Sequence, residues 1–310
     1  MRIVVAGGTG FLGSALTQAL AADGHEVVVL TRTPTPPPAP AHHIHLLHWQ
    51  PNGQSGPWAS VLDGAGAIVN LAGESIAARR WSSARKILIR NSRVQATRSL
   101  VSAVHAARSS PPVFISASAV GYYGPHGDEI LTEEARPGGD FLATVCEDWE
   151  REAARAADRA RVVLIRTGIV LARDGGALSK MLPPFRMFVG GPLGSGRQYM
   201  SWIHRDDWVE IVRWALLTSS VSGPLNATAP NPVTNAEFSS ALGSALRRPS
   251  WLPAPGFALR LVLGEMADAL LLSGQRILPA KANALGFRFA FANADLDEDP
   301  SQFRGHFLRR

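Results

Sequence analysis

Four glycines, Gly7, Gly8, Gly10 and Gly13, cluster near the start of the chain. Their spacing suits one task, the holding of a pyrophosphate. Gly7 permits a tight turn, Gly10 lets backbone approach a phosphate, and Gly13 lets a helix sit close on a strand. With Thr9, Phe11 and Leu12 they place the N–H groups and positive end of a helix against the phosphates. A second chemical signal stands at Thr31-Arg32. An acidic side chain there would hold both ribose hydroxyls of NAD. Arg32 can instead stack on adenine and pair with a 2′-phosphate, and Thr31 can donate a hydroxyl, so NADP(H) is the expected cofactor. A third set is the run Ser116-Ala117-Ser118 through Tyr122-Tyr123, with His204 further on. These are hydroxyls and an imidazole of the kind that bind a substrate or move a proton.

The elements that must position these groups follow from the pattern of apolar residues. Ile3–Ala6 reads as a strand. Phe11, Leu12, Ala15, Leu16, Ala19 and Leu20 share one face of a helix that closes at Asp23-Gly24. Val27–Val29 reads as the next strand. Strand, glycine turn, helix and strand make the first βαβ unit of a doubly wound parallel sheet, an α/β fold of the Rossmann type. Thr33–Ala41, TPTPPPAPA, is expected to be an exposed loop. Ile44–Trp49 reads as a third strand, with Gln50-Pro51 after it at an adenine-contact position. Ala67–Leu71 reads as a fourth. Leu71, Ala72 and Gly73 are placed beside the cofactor, and Glu74, Arg79 and Arg80 within reach of a ribose or phosphate. A long helix is expected over Ser82–Arg108, a fifth strand over Val113–Ile115, a helix over Phe141–Ala157 and a sixth strand over Arg161–Arg166. Ser116 and Ser118 then fall at the carboxyl end of the fifth strand, where ligands bind in such sheets.

Beyond Leu171 the alternation weakens. Ala177–Phe188 is expected to be a helix broken by Pro183-Pro184, and Gly190–Gln198 a turn-rich loop facing solvent or ligand. Asp207 with Glu210, and Thr234 with Glu237, have the spacing of capping boxes. Ala258–Leu272 reads as one partly buried helix rather than a membrane span.

Composition narrows the function. The 310 residues carry 46% hydrophobic and 18% charged side chains and a net charge of +6. The arginines are scattered rather than striped, so nucleic acid is not an expected partner and an anionic cofactor or substrate accounts for the charge. The single cysteine, Cys146, excludes an internal disulfide and a cysteine-based metal cluster. His42, His43, His45 and His48 lack a convincing set of partner ligands, so no metal site is expected. No membrane partner and a cytoplasmic location are expected.

Taken together, these segments resemble an extended short-chain dehydrogenase/reductase of the NAD-dependent epimerase/dehydratase superfamily. More narrowly, they are similar to its poorly characterised "epimerase family" branch, with a short C-terminal domain of unknown function from about Trp251. The residues that carry the resemblance are Gly7–Gly13, Asn70–Glu74, Arg79-Arg80-Trp81, Ser116–Gly124, Phe141–Glu150, Arg166–Leu171 with Ile169 on the cofactor side, Gly190–Gly196 and Trp202–Asp207. The resemblance implies a cofactor-binding domain over 1–171, a smaller substrate-side domain over 172–310, a small-molecule substrate and homodimerisation through the two long helices. It also exposes a departure. Active members use a Tyr-x-x-x-Lys pair, and the matching positions here are Phe141 and Val145. Two functions stay open: an oxidoreductase or epimerase-like enzyme with a relocated acid/base, for which Ser118, Tyr122, Tyr123 and His204 are candidates, or a non-catalytic NADP(H)-binding sensor.

Overall fold

The computed structural model describes residues 1–33 and 43–293. All of the expected proline loop except Thr33 lies outside the described residues, as does His42. The chain enters through β1 (Arg2–Ala6), α1 (Phe11–Ala22), β2 (Glu26–Thr31) and β3 (Ile44–His48). It crosses to β4 (Ala67–Asn70), α2 (Ser83–Ala106) and β5 (Val113–Ala119). After a short β6 (Ile130–Leu131) come α3 (Phe141–Ala154) and β7 (Arg161–Thr167).

Four short strands and two helices extend the chain toward the sheet's far edge: β8 (Ile169–Ala172), α4 (Gly176–Arg186), β9 (Tyr199–Met200), β10 (Trp202–His204) and, after α5 (Arg205–Leu217), β11 (Gly223–Ala227). Seven strands form one sheet in the order β11-β7-β5-β4-β1-β2-β3. Every pairing in it is parallel. The winding reverses between β1 and β4, and the carboxyl ends of those two strands open the crevice where such sheets bind ligands.

The strand sequences explain the layering. Ile3 and Val5 project into one apolar cluster, with Leu16 and Leu20 of α1 and Ile211 and Val212 of α5. Val4 and Ala6 project into the other, with Leu100 and Val104 of α2 and Ala153 of α3. Both faces are covered, so the strands read as continuous β-branched runs rather than alternating ones. Trp149 is buried at 5% exposure, which places it in the core of this chain.

The remaining chain adds β12 (Val233–Thr234), α6 (Asn235–Leu246), α7 (Gly256–Leu263), α8 (Glu265–Ala267), β13 (Arg276–Ile277) and α9 (Ala280–Ala284). Small pairings join these pieces to earlier ones: β10 with β8, β12 with β9, and β13 with β6.

Three expectations are corrected here. The helix α4 runs through Pro183 and Pro184 instead of breaking at them. Each proline removes one intrahelical donor, yet the helix continues past them, with the Met187 N–H reaching the Pro183 carbonyl at 3.0 Å. Asp207 and Glu210 form no capping box. His204 caps α5 through its side chain, and the Asp207 carboxylate accepts from the backbone N–H groups of Ala290 and Phe291, each at 2.9 Å. The stretch Ala258–Leu272 is not one helix: Gly264, at φ +65, ends α7 and redirects the chain into α8. The box at Thr234 and Glu237 is present as its spacing predicts.

Candidate functional site

Gly7 follows β1 at φ +80, a conformation that a side chain disfavours. A Cβ there would stand 2.8 Å from the Leu71 carbonyl carbon, so the two strand ends meet at the crevice. A Cβ on Gly13 would run into the Gly7 carbonyl oxygen, which is why α1 can sit this close to β1. Gly10 is the N-cap of α1, with no side-chain cap and no acidic residue in the first turn. The positive end of the helix is therefore open toward the crevice, the arrangement that receives a phosphate.

A cavity of about 200 Å³ lies over this turn. One wall is Gly7, Thr9 and Gly10, the opposite wall Leu71 to Glu74 with Ser92 of α2, and the far end Leu30, Thr31, Arg32, Trp49 and Pro51. The wall after β4 is rigidly held. Asn70 accepts from the Ala72 N–H at 3.2 Å and donates to Thr97 at 2.8 Å. Ser92 accepts from the Glu74 N–H at 3.0 Å, Arg93 donates to the Glu74 carbonyl at 3.0 Å, and Arg85 pairs with its carboxylate at 3.1 Å. At the far end Trp49 is buried and meets Trp58 edge to face, with centroids 5.2 Å apart. Arg32 is exposed at the rim. Thr31 Oγ1 accepts from the Thr33 N–H at 3.3 Å. The open glycine cradle, the helix end and a cationic rim fit a phosphorylated dinucleotide.

Several expected residues stand elsewhere. Gln50 is exposed and the cavity is lined by its neighbours Trp49 and Pro51. The side chain of Phe11 packs on Gly175 and Gly176, with the Arg205 guanidinium 5.6 Å from its ring, and Leu12 packs on the core. Arg79 is exposed, and Arg80 donates to the Leu261 carbonyl. Ser116 is buried in β5, and Ile169 begins β8 opposite Trp202. Pro51 lines the cavity as its place after the third strand leads one to expect, whereas Trp49, Leu30 and Ser92 are lining residues that the sequence reading missed. Nothing in their spacing marks them, because they reach the cavity from three separate elements.

The hydroxyl candidates belong to a buried network behind the crevice. Ser118 Oγ donates to Glu150 Oε1 at 2.6 Å. Arg166 grips the same carboxylate with two bonds, Nε to Oε1 at 2.9 Å and Nη2 to Oε2 at 2.8 Å. Arg166 Nη1 also donates to Tyr123 OH at 3.0 Å, and that hydroxyl donates to Asn226 at 2.7 Å. Burial works against the Arg166 charge, but the bonded Glu150 carboxylate outweighs it and holds the guanidinium above its ordinary pKa. Burial pushes the Tyr123 phenol up to about 12, against the opposing pull of Arg166. Tyr122 stacks its ring 3.5 Å from the Arg166 guanidinium, and burial raises its pKa too. His204 is 5% exposed, caps α5 by accepting from the Asp206 N–H at 3.2 Å, and stacks on Phe291. Phe141 begins α3 with its ring edge to face with Trp81, and Val145 is buried. Among the described residues no cluster of metal-ligating side chains is present.

A parallel sheet of this order with a glycine turn at its switch point defines a nucleotide-binding protein of the Rossmann class. The family model for the NAD dependent epimerase/dehydratase family matches residues 3–226, and a domain of unknown function, DUF1731, matches residues 254–295. The chain belongs to the NAD-dependent epimerase/dehydratase family. It is 45% identical over 296 residues to the chloroplastic SDR39U1 homolog of Arabidopsis thaliana, an epimerase family protein, covering 94% of this chain and 84% of that one. The crystal structure of human epimerase family protein SDR39U1 (isoform 2) with NADPH superposes with a TM-score of 0.86 at 37% identity, covering 97% of this chain and 99% of that one. A nucleoside-diphosphate sugar epimerase from Corynebacterium glutamicum gives a TM-score of 0.75 at 36% identity, over 98% of this chain and 61% of that one.

Proposed function

We propose that this chain binds NADP(H) in the cavity over Gly7–Gly13 and acts as an oxidoreductase or epimerase-like enzyme on a small carbonyl or hydroxyl substrate. The observation that carries the reading is the cavity's far end: Thr31 and Arg32 close it and no carboxylate stands at the end of β2. A carboxylate there would repel a 2′-phosphate, whereas a guanidinium pairs with one. The human relative that matches over nearly its whole length was crystallised with NADPH, which supports the same reading. When bound, the nicotinamide supplies or accepts a hydride. The residues of 1–171 would hold the cofactor, and the later segments would close over the substrate.

The protein's own contribution is positioning. The glycine turn and α1 take the phosphates, Trp49 and Pro51 flank the adenine end, and the stapled loop from Leu71 to Glu74 supports the sugar side. Ser118, 3% exposed behind the crevice, has its proton held by Glu150.

A second reading, an NADP(H) sensor without turnover, is favoured by one observation. Phe141 and Val145 occupy the positions of the acid/base pair, and Ser118, Tyr123 and His204 spend their polar atoms inside the protein. Following NADPH absorbance with the purified protein and a panel of aldehydes, ketones and oxo acids separates the two. Steady oxidation of NADPH with any of them supports an enzyme. Tight NADPH binding with no oxidation across the panel supports the sensor and overturns the assignment of turnover.

A further inference from the structure

Lysine occurs three times in the chain, at 86, 180 and 281, among 31 lysines and arginines. Two of the three converge on the loop that leaves the cavity wall. Lys180 of α4 donates to the Ala77 carbonyl at 3.3 Å. Lys86 of α2 lies 5.1 Å from the centroid of the Phe141 ring and 6.0 Å from that of Trp81. Trp81 in turn donates to the Ile76 carbonyl at 2.8 Å. Phe141 opens the helix that follows β5, and the Ile76–Trp81 stretch continues from Glu74 after β4. The Lys86 ammonium therefore stands at the carboxyl edge of the sheet, the edge that also carries the cofactor cavity.

Its partner comes from the C-terminal segment. Glu265, the first residue of α8, meets Lys86 with both carboxylate oxygens, at 2.6 and 2.5 Å. The segment reaches this point at the Gly264 turn, where a Cβ would stand 2.7 Å from Arg80 Nε. The ion pair is half in water, with side-chain exposures of 28% for Lys86 and 55% for Glu265. The preceding helix α7 has no buried residue to anchor it. An ion pair in that setting is held weakly and exchanges partners at little cost. The Lys86 ammonium itself stands over two aromatic faces, which favour a cation there.

We propose that Lys86 is the recognition point for a carboxylate on the substrate, and that the Glu265 carboxylate occupies that point in the free protein. The inference deepens the reading of the chain as an NADP(H)-dependent enzyme and rests on it: the substrate class is a carbonyl compound carrying a carboxylate, an oxo acid. Substrate entry then displaces the Glu265 side chain, while the buried Met266 and Ala267 keep α8 seated.

Three lysines give three sets of Cε–Hε signals in a carbon-labelled NMR spectrum, and loss of one set in Lys86→Met assigns the signal of interest. The titration uses pyruvate, with acetone as its uncharged counterpart and inorganic phosphate as a rival anion, each with and without NADPH. The expected result is a saturable shift of the Lys86 signal with pyruvate and none with acetone. Glu265→Gln should tighten pyruvate binding at least threefold, because the internal competitor has lost its charge. Lys86→Met should lose pyruvate binding by calorimetry while keeping its affinity for NADPH. No shift with pyruvate, unchanged affinity in Glu265→Gln, or undiminished pyruvate binding in Lys86→Met would each overturn the proposal. Phosphate binding more tightly than pyruvate would overturn the carboxylate assignment. Failure of the unmodified protein to bind NADPH would instead count against the cofactor reading, since the lysine signal is also read without it.

Discussion

At the scale of single residues, the decisive feature is the Ser118–Glu150–Arg166–Tyr123–Asn226 chain. The Glu150 and Arg166 side chains are 8% and 3% exposed, so each charge depends on the other. Removing one partner from such a pair strands a buried charge at a cost of ~3–5 kcal/mol. Glu150→Met should therefore lower the unfolding free energy in urea by about that amount. Ser118→Ala, which loses one charge-assisted bond, should cost roughly 1.5–3 kcal/mol. Combining Ser118→Ala with Glu150→Met should be far from additive, and additive losses would show that the hydroxyl and the carboxylate do not act together. Cys146 supplies a test in pH. Burial, aided by Glu150, pushes its thiol from 9.0 up to about 12. The fold thus holds a proton that the unfolded chain releases. The resulting stability is fully present below pH 9 and declines as pH rises toward 12. Burial both suppresses the thiolate and excludes the reagent, so labelling of the native protein by a thiol reagent at about pH 8 should be far slower than that of the urea-unfolded protein. Comparable rates would contradict the burial. Ser118 was legible in the sequence as a hydroxyl at a strand end. Its engagement with Glu150 was not, because 32 positions separate the two and only the packing of α3 on β5 joins them.

At the scale of elements, two capping-box spacings had different fates for a tertiary reason. Thr234 and Glu237 bond reciprocally at the start of α6. Asp207 instead turns inward to hold Ala290 and Phe291, and His204 takes over the N-cap of α5. Thr234→Ala should cost about 1 kcal/mol of stability, as the loss of a side-chain cap does. Glu210→Ala, which removes only an exposed partner of Arg213, should stay within ~0.5 kcal/mol in the same denaturation experiment. An equal cost at both sites would restore the capping role that the spacing of Asp207 and Glu210 suggests. Elements whose signal is local were readable in advance: the strand–glycine–helix–strand opening, the long α2 and the Thr234 box. Elements shaped by distant contacts were not. The α7–α8 break depends on Gly264 against Arg80, and α4 keeps its helical form through two prolines because Leu178, Leu182 and Phe185 are buried beneath it.

For the whole molecule, the sheet order brings Gly7 after β1, Arg32 after β2, Trp49 after β3 and Glu74 after β4 to one cavity. That convergence is a property of the topology, so the glycine turn, Arg32 and Pro51 were visible as sequence signals while Trp49, Leu30 and Ser92 emerged from the three-dimensional arrangement. The most direct test of the account is a fluorescence titration with NADPH and with NADH on the unmodified protein and on Arg32→Ala, with Trp49 at the cavity's far end as an internal reporter. Loss of a guanidinium–phosphate pair removes roughly 1.5–3 kcal/mol, about ten- to a hundredfold in affinity. The account predicts tight NADPH binding that Arg32→Ala weakens by that factor, with NADH binding weak throughout. Equal affinity for the two cofactors, or NADPH binding indifferent to Arg32→Ala, would contradict it.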